Sequence, residues 1–332
     1  MRKVLLASTA LATAAGVAAV ANAEVSISGV SEWHYESVSD DNTANASSSS
    51  VKLGNTVTVS FSAATDNGLT YSMYYLMGDS TGSEASISGD FGKIKLCDGS
   101  TGGACGAGGD YDVTSVGFAA AHGDPAFNLM QGGSDTTTVS AVEIDEAQID
   151  DTIDTSGATI EYHSPSFNGF AFGVSSSHLE SHDDNSSMSM GASYSGSAGD
   201  ISYSIGVASY DGVHEDTEGD HIGFNIGMGD MTFGFGSSTN KSTNSKKDTV
   251  SYSVNYAMTD DITINVGRTD SENKGGTGAT DDKEAANTVV GVKYVIAPGL
   301  YATLASHSFE YKENGSIDND GQALLSEIKM SW

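Results

Sequence analysis

Between Asp98 and Gly157 the sequence places eleven carboxylates and no Lys or Arg: Asp98, Asp110, Asp112, Asp124, Asp135, Glu143, Asp145, Glu146, Asp150, Asp151 and Asp154. Such a surplus attracts mobile cations through its field, and clustered oxygens can also bind a hard cation directly. Asp110 with Asp112 and Asp150 with Asp151 are the candidates for calcium. No EF-hand spacing accompanies them, so a calcium site would have to be assembled by folding, and a hydrated acidic loop is the simpler reading. Cys97, just before this stretch, and Cys105 within it flank a Gly-rich loop. No further metal ligands lie at compatible spacing, so a disulfide that staples the loop is the simplest use of the pair. Asp124 before Pro125 reads as a helix N-cap with Pro at the first helical position, and Ala141–Ile153 as a second short helical stretch. The eight His residues are scattered, and solvated imidazoles are the plainest reading. No G-x-S-x-G, H-E-x-x-H or P-loop occurs, so no catalytic residue is assigned.

The elements that must hold these residues have a period of two. Val57, Val59 and Phe61 alternate with Thr58, Ser60 and Ser62. Tyr71, Met73, Tyr75 and Met77 do the same, as do Ile201, Tyr203, Ile205 and Val207, then Val250, Tyr252, Val254 and Tyr256, then Ile262, Ile264 and Val266. This is strand periodicity with one apolar face. Seven short turns, such as Asp66-Asn67-Gly68, Phe167-Asn168-Gly169 and Pro298-Gly299, alternate with eight longer polar loops. Fifteen connections join sixteen strands, an even number that closes as a meander. Short turns on one rim and long loops on the other mark a transmembrane barrel, because lipid satisfies no backbone group and only a closed sheet can span it. A secreted β-sandwich also alternates, but it gives no reason for the short/long pattern.

Composition agrees with the barrel. The 332 residues include 40 Gly and only 3 Pro, which excludes collagen and proline-rich linkers. Acids number 44 against 14 bases, a formal charge of −30 that excludes a nucleic-acid binder. A hydrophobic share of 38% is low for a chain with a dry core, but it suits a single-layer wall with lipid outside and water inside.

The first residues read as an export signal. Arg2 and Lys3 precede an uncharged run, Val4–Val20, and Ala21-Asn22-Ala23 is an A-x-A cleavage site. The run is short for an anchor helix, which needs about 18 apolar residues or more. Residues 1–23 are therefore expected to be a signal peptide and 24–332 the mature barrel. The leader removes two of the 14 bases, so the mature charge becomes 12 − 44 = −32.

Several segments resemble a Gram-negative general porin of the sixteen-stranded trimeric class, in the alphaproteobacterial style. They are Glu24-Val25-Ser26-Ile27-Ser28-Gly29, Ser88-Gly89-Asp90-Phe91-Gly92-Lys93, Glu161–Phe170 and the terminal strand that ends in Met330-Ser331-Trp332. The resemblance covers essentially the whole mature chain. It implies an outer-membrane homotrimer among lipid and lipopolysaccharide. Each subunit would be a passive diffusion channel for ions and small hydrophilic solutes, with the third long loop, 98–157, folded into the lumen as the constriction. Strand parity turns Lys52, Lys93, Lys95, Lys293 and Lys329 to the lumen, and the resemblance implies that wall lysines face the acidic loop across the eyelet. There are two departures. The chain ends in Trp332 where the family usually ends in Phe. The mature chain has one arginine, Arg268, which parity places on the outer face, so an arginine cluster at the eyelet is not expected. With acids so dominant, cations are the expected preference. The alternatives are a solute-specific barrel channel, a plugged barrel adhesin and an outer-membrane enzyme.

Overall fold

A computed structural model describes residues 23–40, 48–78, 82–98, 106–111, 113, 158–178, 186–212, 217–242, 245–275, 282–313 and 316–332. Sixteen strands form one closed antiparallel barrel in which each strand pairs with its neighbours in sequence. They are β1 (Ala23–Asp40), β2 (Ser48–Ala64), β3 (Thr70–Gly78), β4 (Gly82–Gly89), β5 (Gly92–Asp98), β6 (Ala158–His163), β7 (Phe170–His178), β8 (Ser186–Ala198), β9 (Ile201–Asp211), β10 (Glu218–Met228), β11 (Met231–Ser242), β12 (Ser245–Ala257), β13 (Ile262–Gly275), β14 (Lys283–Ala297), β15 (Leu300–Glu313) and β16 (Ser316–Ser331). β1 and β16 close the ring, with Trp33 opposite Ile328 and His34 opposite Glu327. The final residue completes the seam: Trp332 N–H donates to the Gly29 carbonyl at 3.0 Å, and Gly29 N–H returns a bond to the Trp332 carbonyl at 2.9 Å.

The alternation becomes two faces of opposite character. Trp33, Val51, Leu53, Leu96, Ile205, Tyr252, Val290 and Leu304 are exposed on the outside. The buried side chains are mostly polar, such as Ser175, Ser189, Thr159, Asn265 and Thr303, and they sit at the intervening inward positions. An apolar exterior around a polar interior is the arrangement a barrel in lipid requires. The inner face is not uniformly polar, because Ala305, Phe309, Ala323 and Leu325 form a buried apolar patch on β15 and β16. Among the described residues no helix is long and apolar enough to cross a membrane.

The turns follow their residue chemistry. Asn168 and Gly169 both have positive φ, at 52° and 88°. Phe167 and Phe170 exchange both backbone hydrogen bonds around them, at 2.7 and 3.1 Å. This is the Asn-Gly hairpin, whose twist matches that of the flanking strands. Exposed aromatics collect at this short-turn rim, among them Phe91, Phe167, Phe170 and Trp332. Such a girdle suits the membrane–water interface.

The expected leader, Cys105 and the helices expected near Asp124 and over 141–153 lie outside the described residues.

Candidate functional site

Residues 106–111 and 113 lie against the inner faces of β7 to β10. The wall is prepared for them by a row of glycines: Gly173, Gly191, Gly206 and Gly223. Register joins them across the strands, with Gly173 opposite Gly191 and Gly206 opposite Gly223. A Cβ at Gly173 would lie 2.5 Å from Tyr111 Cε2, and one at Gly191 would lie 2.8 Å from Tyr111 Cβ. A Cβ at Gly206 would meet the Tyr111 carbonyl oxygen, and one at Gly223 the Val113 carbonyl oxygen. Absent side chains therefore make the groove in which the segment sits.

Polar contacts fix its register. Ala107 N–H donates to Ser175 Oγ at 2.9 Å, and Gly108 N–H donates to Ser189 Oγ at 2.7 Å. A single 3₁₀ turn, Gly109–Tyr111, presents Asp110 to the lumen and buries Tyr111. The Tyr111 hydroxyl donates to the Phe172 carbonyl at 2.9 Å, and its ring stacks on His163 with centroids 5.8 Å apart. Burial, and next the Asp110 carboxylate beside it, push the Tyr111 hydroxyl above its ordinary pKa, so it remains a neutral donor.

Asp110 meets a charge cluster on the wall. Lys95 Nζ lies 2.7 Å from Glu161 Oε2, 3.3 Å from Asp110 Oδ2 and 3.6 Å from Glu84 Oε2. Lys93 Nζ reaches Glu84 Oε1 at 3.1 Å. His163 Nε2 approaches the same Glu161 oxygen at 3.0 Å and Asp110 Oδ2 at 3.5 Å. Lys95 and Glu161 are direct cross-strand partners. Glu161 is fully buried, so it depends on this partner: an uncompensated buried charge costs several kcal/mol, about 3–5 by removal of one partner. Three carboxylates against two ammonium groups leave this cluster one negative charge.

The five lysines expected on the lumen side occupy inward positions, but their settings differ from the expected field. Lys95 touches Asp110 instead of facing it across the eyelet, because the wall supplies its own acids, Glu84 and Glu161. Lys329 pairs with Glu32 of β1. Lys293 lies over the Tyr301 ring, 4.0 Å from its centroid. Lys52 stands opposite His34 in the β1–β2 register. Arg268 is on the outer face as expected, bound to Asp270 at 2.6 Å and to Thr288 Oγ1 at 3.2 Å.

Of the loop acids, only Asp110 is described with its side chain. Asp98 ends β5, and Asp112, Asp124, Asp135, Glu143, Asp145, Glu146, Asp150, Asp151 and Asp154 lie outside the described residues. Three of the four calcium candidates are thus outside, and the fourth, Asp110, is held by Lys95. Cys97 is buried with its Sγ 3.7 Å from Glu161 Oε1, and its proposed partner Cys105 is outside. The histidines correct the sequence reading: His34, His221 and His307 face inward but are buried among neighbouring side chains of the inner face instead of being solvated. Sequence reasoning also missed Glu84 and Glu161. Their signal was available, since the parity that turned Lys93 and Lys95 inward applies equally to acids on the neighbouring strands.

A closed sixteen-stranded barrel with a chain segment seated in its lumen leaves the family to be decided. The sequence model of the Gram-negative porins matches residues 7–314. The chain belongs to the Gram-negative porin family. No curated protein matches it in sequence. Solved structures share the porin's fold at low identity. An anion-selective porin from Comamonas acidovorans is 12% identical with a TM-score of 0.62, covering 94% of this chain and 100% of that one. OmpT of Vibrio cholerae, an outer-membrane protein, is 12% identical with a TM-score of 0.61, covering 95% and 100%. A mutant Rh. blastica porin is 15% identical with a TM-score of 0.58, covering 93% and 100%. The porin is therefore an outer-membrane channel built as a multi-pass β-barrel.

Proposed function

We propose that this porin is a water-filled passive diffusion channel for ions and small hydrophilic solutes, that it prefers cations, and that it works as a homotrimer. The observation that carries the reading is the seating of residues 106–113 on the inner glycine row, with Asp110 turned to the lumen. From there the segment 98–157 forms the constriction, and its acids give the narrowest part a negative field. The wall lysines oppose that field weakly, because Glu84, Glu161 and Glu32 already neutralise Lys93, Lys95 and Lys329. Catalysis has no part in this reading.

The trimer reading rests on the porin family and on a structural neighbour, OmpT of Vibrio cholerae, solved in a trimer form. Cleavage after Ala23 gives a mature chain from Glu24. A Cys97–Cys105 disulfide closes the first turn of the constriction segment. The channel is tested by liposome swelling with uncharged sugars of graded size. Swelling that falls off with sugar size supports an open pore, and absence of swelling with the smallest sugars refutes it.

A further inference from the structure

Among the described residues, two clusters on the lumen wall bring two carboxylates and one imidazole within ligand distance of one another. Asp110, Glu161 and His163 form the first; Glu32, His34 and Glu327 form the second, at the closing seam. They differ in where the nearby lysine sits. In the first, the Lys95 ammonium lies 2.7 Å from the Glu161 oxygen that also faces His163, so the lysine occupies the place a cation would take. In the second, the Lys329 ammonium binds Glu32 Oε1, while the other oxygen, Oε2, faces His34 Nε2 at 3.4 Å. The lysine there is outside the cluster.

Strand geometry builds this second group. Glu32 and His34 are two apart on β1, so both turn inward while Trp33 between them points out. Glu327 is the direct cross-strand partner of His34 on β16. The ligand atoms of all three lie within 4.8 Å of one another. Glu327 is only 3% exposed, and its Oε2 accepts no hydrogen bond among the described residues. Thr303, opposite Glu327 on β15, also has a buried hydroxyl without a partner among the described residues. A buried carboxylate oxygen with nothing to bind is costly, and a cation would satisfy it.

We propose that Glu32, His34 and Glu327 form a binding site for a divalent transition-metal ion of the zinc class. One imidazole and two carboxylates suit Zn²⁺ better than Ca²⁺ or Mg²⁺, which take all-oxygen shells. Tetrahedral bonds of about 2.0–2.1 Å set neighbouring ligand atoms roughly 3.3–3.4 Å apart. The Glu32–His34 pair already stands at 3.4 Å, and Glu327 closes by a small side-chain movement. Two carboxylates balance a divalent ion. Glu32 keeps a fifth of its side-chain surface exposed, which opens the site to the lumen.

The test is titration of ZnCl₂ into the full-length detergent-solubilised barrel, followed by calorimetry, with folding checked by heat-modified electrophoretic mobility. The expected result is one saturable ion per chain, weakened about tenfold or more in both His34→Asn and Glu327→Gln. His163→Asn, which alters the lysine-filled cluster, retains the binding. Millimolar Mg²⁺ does not displace the ion. If His34→Asn fails to fold, Glu327→Gln decides. The proposal is overturned if no stoichiometric ion binds, or if binding survives unchanged in folded Glu327→Gln.

Discussion

Lys95 shows how much one side chain carries in this wall. It is almost fully buried and touches Glu161, Asp110 and Glu84, so it joins β5, its two neighbouring strands and the inserted segment. Replacing it by Met leaves the buried Glu161 without its ammonium partner, at a cost of about 3–5 kcal/mol. The Lys95→Met barrel should unfold at lower temperature in a tryptophan-fluorescence melt, and adding Glu161→Leu should restore most of the loss. An unchanged melt would show that the pair does not carry the wall. The glycine row makes a second claim at this scale. Gly223→Val puts a side chain where the Val113 carbonyl lies. The barrel should still assemble, but its single-channel conductance should change as the segment is displaced. Conductance equal to that of the parent would contradict the seating.

At the scale of the strand, the sequence was legible because its period is two. Parity alone places Val51, Leu53, Leu96 and Val290 outside and Lys95 and Lys329 inside. The Asn168-Gly169 turn was legible for a similarly local reason, because few residues accept positive φ. The course of the inserted segment was not legible. Its seat is a row of glycines from four strands, far apart in sequence and aligned only by register. The Lys95–Glu161 and His34–Glu327 pairs were hidden for the same reason, since a cross-strand partner is fixed by register and not by spacing along the chain. The two faces themselves yield a paired prediction. Arg in place of Ile205 on the outer face should cost about 2–4 kcal/mol at mid-bilayer depth, whereas Arg in place of its inward neighbour Ser204 should cost far less. Reversible denaturant unfolding in lipid vesicles measures both, and equal costs would contradict the assignment of faces.

For the whole molecule, the charge of −30 is a field as well as a solubility device. Asp110 is the described acid of the seated segment, and Lys93, Lys95 and Lys329 are engaged by acids of the wall itself. The fold does not settle the sign of selectivity, because an anion-selective porin shares it at 12% identity. Sign belongs to the charged residues on the lumen face. The most direct measurement is the reversal potential of single channels in a planar bilayer under a tenfold KCl gradient. The account predicts a zero-current potential with the sign of K⁺ permeation, and Asp110→Asn should move it toward zero. A potential with the sign of Cl⁻ permeation would contradict it.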